Sequence, residues 1–135
     1  MIHVIMGLKG SGKTKKLIDS VNATAATAHG VVVCIEYGNK LTYDVKSSVR
    51  LVNSKEYGIS NSCMLKGFLS GLHAGNYDIT HVYIDHLYKT IGADRANGEE
   101  FILWCAQFAK ANDMEITLTV SDDPAEASEA IRQYL

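Results

Sequence analysis

The chain has 135 residues, of which 47% are hydrophobic and 21% charged, and its formal net charge at pH 7 is −2. These proportions fit a single domain spanning residues 1–135 and exclude disordered, collagen-like and proline-rich chains. A slight acidic excess gives no indication of a whole-domain grip on nucleic acid, which needs a surplus of lysine and arginine.

The residues Met1-Ile2-His3-Val4-Ile5-Met6-Gly7 lack the basic start and long apolar run of a signal peptide. No stretch approaches the length of a membrane span. Cys34, Cys63 and Cys105 are odd in number, scattered, and form no Cys-x-x-Cys pair, which argues against a disulfide framework or a zinc knuckle. The expectation is a cytoplasmic protein with no membrane contact.

Residues 2–6 form an apolar, β-branched run closed by Gly7, the pattern of a buried strand. Leu17, Ile18, Val21, Ala25 and Ala28 then make one apolar stripe, predicting a helix over 13–28 that Gly30 stops. Residues 31–37 are so apolar that both faces of the strand should be covered, as in parallel sheets. Residues 38–48 read as a polar loop and 49–52 as a short strand. Ser60, Asn61 and Ser62 offer caps for a helix carrying Met64, Leu65, Phe68, Leu69 and Leu72, ended by Gly75-Asn76. Residues 81–85 form a further strand, followed by a loop or broken helix to about Asn97.

A helix over 98–112 presents Phe101, Trp104, Cys105 and Phe108 on one side, and 116–120 is the last strand. Asp123-Pro124-Ala125-Glu126 combines a cap, a first-turn proline and an acid, and predicts a final helix running to Leu135. Strands alternating with helices imply an α/β fold: a three-layer α/β/α sandwich with a mainly parallel, about five-stranded sheet. Strand order does not follow from the pattern.

One motif dominates. Gly7, Leu8, Lys9, Gly10, Ser11, Gly12, Lys13 and Thr14 match G-x-x-x-x-G-K-[ST] at every specified position, between a predicted strand and a predicted helix. Glycines let the backbone turn its N–H groups onto phosphate oxygens, and the helix N-terminus adds positive potential. Lys13 would reach the β- and γ-phosphates and the Thr14 hydroxyl would coordinate Mg²⁺, a hard ion that prefers oxygen. A second Mg²⁺ ligand is needed at the end of a neighbouring strand. Asp85 is the leading candidate, and Glu36, which closes another apolar strand, is the competitor.

His86 follows Asp85 where a general base is wanted, and histidine titrates near neutrality. Arg95 is the best placed of three arginines to act on a γ-phosphate in its own or a neighbouring subunit, with ion pairing on the surface as the plainer role. Ser121 and Asp122 close the last strand on the ligand edge. Tyr37, Tyr43, Tyr57 and Tyr88 are candidates to stack on a base, none of them singled out by the sequence.

With these residues in hand, the chain resembles the P-loop NTPase superfamily: residues 7–14 look like its Walker A motif and residues 82–85 like its Walker B motif. Within it the order is most similar to the RecA-like branch and loosely to the type II thymidine kinases. Those also carry Walker A at the N-terminus and a Tyr-Asp pair, here Tyr77-Asp78, before the Walker B strand. They have Glu after the Walker B Asp, where this chain has His86, and a zinc-containing lasso, for which this chain has no paired cysteines.

The resemblance implies the fold and does not carry over nucleoside kinase activity. Asn39-Lys40-Leu41-Thr42 lacks the Asp of the guanine-reading motif, so ATP is expected over GTP. The expected function is ATP binding with Mg²⁺ and slow hydrolysis of the β–γ bond. The alternative is a small kinase with an unidentified acceptor. A second copy or a protein partner is the expected means of completing the site.

Overall fold

The computed structural model describes residues 1–135. Five strands form one sheet: β1 (Ile2–Gly7), β2 (Val31–Glu36), β3 (Arg50–Asn53), β4 (Ile79–Ile84) and β5 (Glu115–Ser121). All neighbouring pairs are parallel, in the order β1-β5-β4-β2-β3. Helices lie between them: α1 (Lys13–Thr27), α2 (Ser62–Gly75), α3 (Leu87–Ile91), α4 (Arg95–Ala111) and α5 (Glu129–Arg132). No helix is long and apolar enough to cross a membrane.

The strands alternate with period two between two apolar layers. Val33 and Ile35 of β2, Val82 and Ile84 of β4, and Ile116, Leu118 and Val120 of β5 join α2, α3, α4 and α5 in a core of 23 buried residues. Val32 and Cys34 of β2 and Tyr83 of β4 turn the other way, onto α1. The expectation that residues 31–37 are covered on both faces is met.

The chain leaves β1 through α1 and crosses two strands to reach β2. It returns from β3 through α2 to β4, and from β4 through α3 and α4 to β5, beside β1. The connections on the two faces therefore run in opposite directions across the sheet. A crevice opens outside the C-terminal strand ends where such connections diverge.

Three local expectations need correction. Residues 38–48 are polar on average, yet Leu41 and Val45 are buried with Val49 in one cluster with Leu17 and Val21 of α1. This segment supplies much of what covers β2 on that face, because α1 alone does not span it. The helix expected from residue 98 begins earlier, at Arg95, because Asp94 accepts a hydrogen bond from the Asn97 N–H (3.0 Å).

The final helix is broken. Asp123 does cap, accepting from the Ala125 N–H (2.9 Å), but only a 3₁₀ turn over Pro124–Glu126 follows. Ala127 and Ser128 are extended before α5 begins. A helix this short has little intrinsic stability. Tertiary contacts prevail: Ala127 is buried, the Ser128 N–H donates to Glu99 Oε2 (3.1 Å), and the Tyr134 carbonyl accepts from the Val4 N–H (2.8 Å) on the free edge of β1.

Candidate nucleotide site

The turn out of β1 is made by glycines in conformations that L-residues avoid: Gly10 has φ +84° and Gly12 φ +85°. Ser11 N–H donates back to the Leu8 carbonyl (3.1 Å), closing the loop. Gly12 is the N-cap of α1 and has no side chain to cap it, and the first turn of α1 contains no acid. The other two long helices are capped from within the protein, α2 by Asn61 and α4 by Asp94. The first-turn N–H groups of α1 thus lack the carboxylate or amide oxygen that the other helices receive. An anion would satisfy them.

Lys13 is only 7% exposed, and its Nζ donates to the Leu8 carbonyl (3.0 Å). The ammonium group lies folded against the loop it belongs to. A hollow of about 330 Å³ is lined by Lys9, Gly10, Gly12, Lys13, Thr14 and Lys15 on one side and by His86 and Ser121 on the other.

Asp85 follows β4 directly and is 2% exposed. Its N–H donates to the Ile35 carbonyl (2.9 Å), which fixes its backbone to β2. The Thr14 hydroxyl donates to the Asp85 carboxylate, at 3.1 Å from Oδ2. Thr119 of β5 also reaches Asp85, because β5 pairs with β4. Its hydroxyl donates to Asp85 Oδ1 and accepts from the His86 N–H (2.8 Å).

Asp85 thus has no basic side chain to neutralise it other than the His86 ring, whose Nε2 is 3.5 Å from Oδ2. A hydroxyl and a carboxylate this close place oxygen donors side by side. The donor set is all oxygen, as Mg²⁺ prefers. No three His, Cys, Asp or Glu side chains converge at this point.

Glu36 ends β2 as Asp85 follows β4, and the ladder that pairs Ile35 with Ile84 brings the two acids side by side. Glu36 is 3% exposed, and its carboxylate accepts from the N–H groups of Lys40 (2.7 Å) and Leu41 (3.3 Å). Burial pushes its pKa up from the ordinary carboxylate value and the Asp85 charge adds to the rise, while the two N–H donors oppose it.

Period-two alternation explains the whole constellation. Glu36 follows Cys34, Asp85 follows Tyr83, and Thr119 follows Thr117, so all three share the face that α1 covers. Thr119 is the residue sequence reasoning missed. The available signal was a pair of threonines at alternate positions in an otherwise apolar strand.

His86 takes φ +51° at the start of α3 and lines the hollow around the loop. Arg95 stands elsewhere. Its guanidinium forms a bidentate pair with Asp122 (Nε to Oδ2 2.7 Å, Nη2 to Oδ1 2.8 Å), with Glu126 at 3.5 Å. The Asp122 N–H donates to the Gly7 carbonyl (3.1 Å), so Arg95 is tethered to the flank of the loop by an aspartate. That pairing holds the Asp122 carboxyl below its usual range and raises the already high Arg95 pKa. Surface pairing was expected, and its partners, Asp122 and Glu126, come from the segment after β5. The structure brings Lys13, Thr14, Asp85 and His86 together, adds Glu36 and Thr119, and leaves Arg95 engaged beside them.

No model of a known protein family matches the chain, and no curated protein matches it.

Proposed function

We propose that this chain is a P-loop NTPase that binds a nucleoside triphosphate, ATP with Mg²⁺, and hydrolyses its β–γ bond slowly. One observation carries the reading: the glycine loop opens onto the uncapped N-terminus of α1, and the helix's Thr14 hydroxyl meets the buried strand-end Asp85. Two features of an NTP–Mg²⁺ seat, an anion cradle and an oxygen ligand pair, adjoin through consecutive residues, Lys13 and Thr14. The absence of the guanine-reading Asp after Asn39-Lys40-Leu41 favours ATP over GTP.

In this reading Lys13 exchanges the Leu8 carbonyl for phosphate oxygens and stabilises the charge that builds on them. The loop N–H groups orient the β- and γ-phosphates. Bound Mg²⁺ would be held by Thr14 and, directly or through water, by Asp85, and would draw charge off the same oxygens. A water oxygen attacks the γ-phosphorus in line as the bond to the β–γ bridging oxygen breaks. ADP leaves, and the water proton passes to a carboxylate.

Glu36 suits that last step better than His86. It is buried beside Asp85, and its raised pKa makes it a stronger proton acceptor than an ordinary carboxylate. Slow turnover is expected because Arg95, the arginine beside the loop, is engaged by Asp122. The kinase alternative keeps the same seat and replaces water by an acceptor hydroxyl. It is favoured by a second cleft that adjoins Thr14, Glu36 and Asp85.

Calorimetry of ATP binding with Mg²⁺, on wild type and Lys13→Ala, with phosphate release followed in the same sample, tests the proposal. Binding lost in the variant and slow phosphate release in wild type are expected. No binding by wild type would overturn it.

A further inference from the structure

Across Asp85 and His86 from the glycine loop lies a second cleft, of about 310 Å³, reached by Thr14 and Glu36 on its inner side. Its outer wall is cationic. Lys40 comes from the segment after β2, Lys55 from the 3₁₀ turn Ser54–Tyr57 after β3, and Lys89 from α3. Three segments distant in sequence therefore each contribute one lysine to the lining of one hollow.

Tyr37 gathers two of them: Lys55 Nζ is 4.3 Å from its ring centroid and Lys89 Nζ 6.0 Å from the same centroid. None of the three lysines is within 4.0 Å of a carboxylate, whereas Lys15 and Lys66 do have such partners. The two acids of the cleft take their hydrogen bonds from neutral groups, Glu36 from the N–H groups of Lys40 and Leu41, and Asp85 from Thr14 and Thr119, so the three lysines outnumber the two carboxylates. Like charges crowded in one concavity repel, and that repulsion is relieved by an anion. The chain as a whole is slightly acidic, so the clustering is local.

We infer that this cleft binds a small polyanion bearing phosphate or carboxylate groups, seated beside the nucleotide and held by Lys40, Lys55 and Lys89. The size argues for a small molecule, since the volume is at the lower end of small-ligand sites. The position argues for a ligand that meets the γ-phosphate, as acceptor or as effector. The relation to the nucleotide rests on the function proposed above, but the anion site itself does not.

The test is calorimetry on the full chain at low ionic strength, with ADP and Mg²⁺ first saturating the loop. Two probes, glycerol 3-phosphate and citrate, are titrated separately. At least one is expected to bind, and the triple variant Lys40→Gln, Lys55→Gln, Lys89→Gln should weaken it tenfold or more while ADP affinity stays within twofold. Arginine at the same three positions should restore binding. Binding by glycerol 3-phosphate alone identifies a phosphate ligand, and by citrate alone a carboxylate ligand.

Three results overturn the inference: neither probe binds wild type, the glutamine variant binds as well as wild type, or the probe competes with ADP. If ADP itself does not bind, the probes are titrated alone. Lysine-dependent binding then sustains the anion cleft while the nucleotide reading fails, and loss of both removes the two together.

Discussion

On one face of the sheet, the strands and α2 to α5 form a core of 23 buried residues; on the other, the strands, α1 and residues 38–49 form one of eight. The first layer is held by apolar contact. The second relies on side-chain hydrogen bonds as well. The Tyr83 hydroxyl reaches Ser20 (3.1 Å) and Thr24 (2.7 Å) of α1, and Asn22 joins α1 to the segment opposite it through the Asp44 carbonyl (2.8 Å) and the Lys46 N–H (2.9 Å). Glu36, Asp85 and Thr119 all belong to this thinner side. The difference teaches that one layer carries the stability of the fold, and the other spends part of its interior on polar groups that a ligand can use.

The largest expected effect separates stability from function. Phe101 is fully buried in the thicker layer, and Phe101→Ala should cost about 3–5 kcal/mol in denaturant unfolding. Nucleotide affinity of the remaining folded protein should be unchanged. Lys13→Ala should do the opposite, weakening ATP at least tenfold, about 1.4 kcal/mol, with a small change in melting temperature. Comparable losses of both properties in either variant would break the division between the layers.

A matched pair of substitutions sharpens it. Tyr88 of α3 packs against the thicker core, its ring lying on Gly98 where any Cβ would collide with it. Its hydroxyl is buried with no partner, and burial pushes the phenol up to about 12, with the Asp122 charge adding to the rise. Tyr88→Phe removes an unsatisfied group and should stabilise the fold by about 1 kcal/mol. Tyr83→Phe removes a hydroxyl that is satisfied from α1, and should destabilise by about 1 kcal/mol. The same chemical change is thus expected to have opposite signs on the two faces, read from denaturation midpoints. Equal signs would contradict the accounting.

The smallest effect is a pH dependence on the thinner side. Glu36 has a raised pKa in the folded state, so the fold favours its neutral form. Its contribution to stability is therefore fully present below the ordinary carboxylate value and declines as pH rises through the raised one. Glu36→Gln should abolish that decline in a series of melts. If Glu36 accepts the water proton, phosphate release by wild type should climb with pH over the same interval, and the glutamine variant should lose this rise. A rise that persists in Glu36→Gln and disappears in His86→Gln would transfer the role to His86.

Much of this molecule is legible in its residues because the signals are local. The run 31–37 shows a strand covered on both faces, and both layers are indeed present. The loop of residues 7–14 declares its strand–turn–helix setting, and the structure has it. Asn61 is a cap that three residues suffice to recognise, whereas Asp94 was not anticipated as one, because α3 and its Gly92 terminus interrupt the helical pattern. Leu41 and Val45 escaped notice because two apolar residues in a polar stretch carry no period. Their burial depends on the uncovered width of sheet beside α1. The final helix failed for the same reason in reverse, since good local chemistry at Asp123 was outweighed by contacts with Glu99 and β1.

What the sequence by itself determined is the inventory: five strands, the helices between them, a complete glycine loop, and an acid after each of two apolar runs. Only the tertiary structure decided the order β1-β5-β4-β2-β3, and with it three juxtapositions. Thr119 reaches Asp85 because β5 pairs with β4. Glu36 lies beside Asp85 because β2 pairs with β4, and Arg95 is clamped by Asp122 rather than by its neighbours in the chain. Periodicity and turn chemistry act over a few residues and can be read along the chain. Strand pairing joins residues tens of positions apart, and which pairs form depends on the free energy of the whole folded sheet.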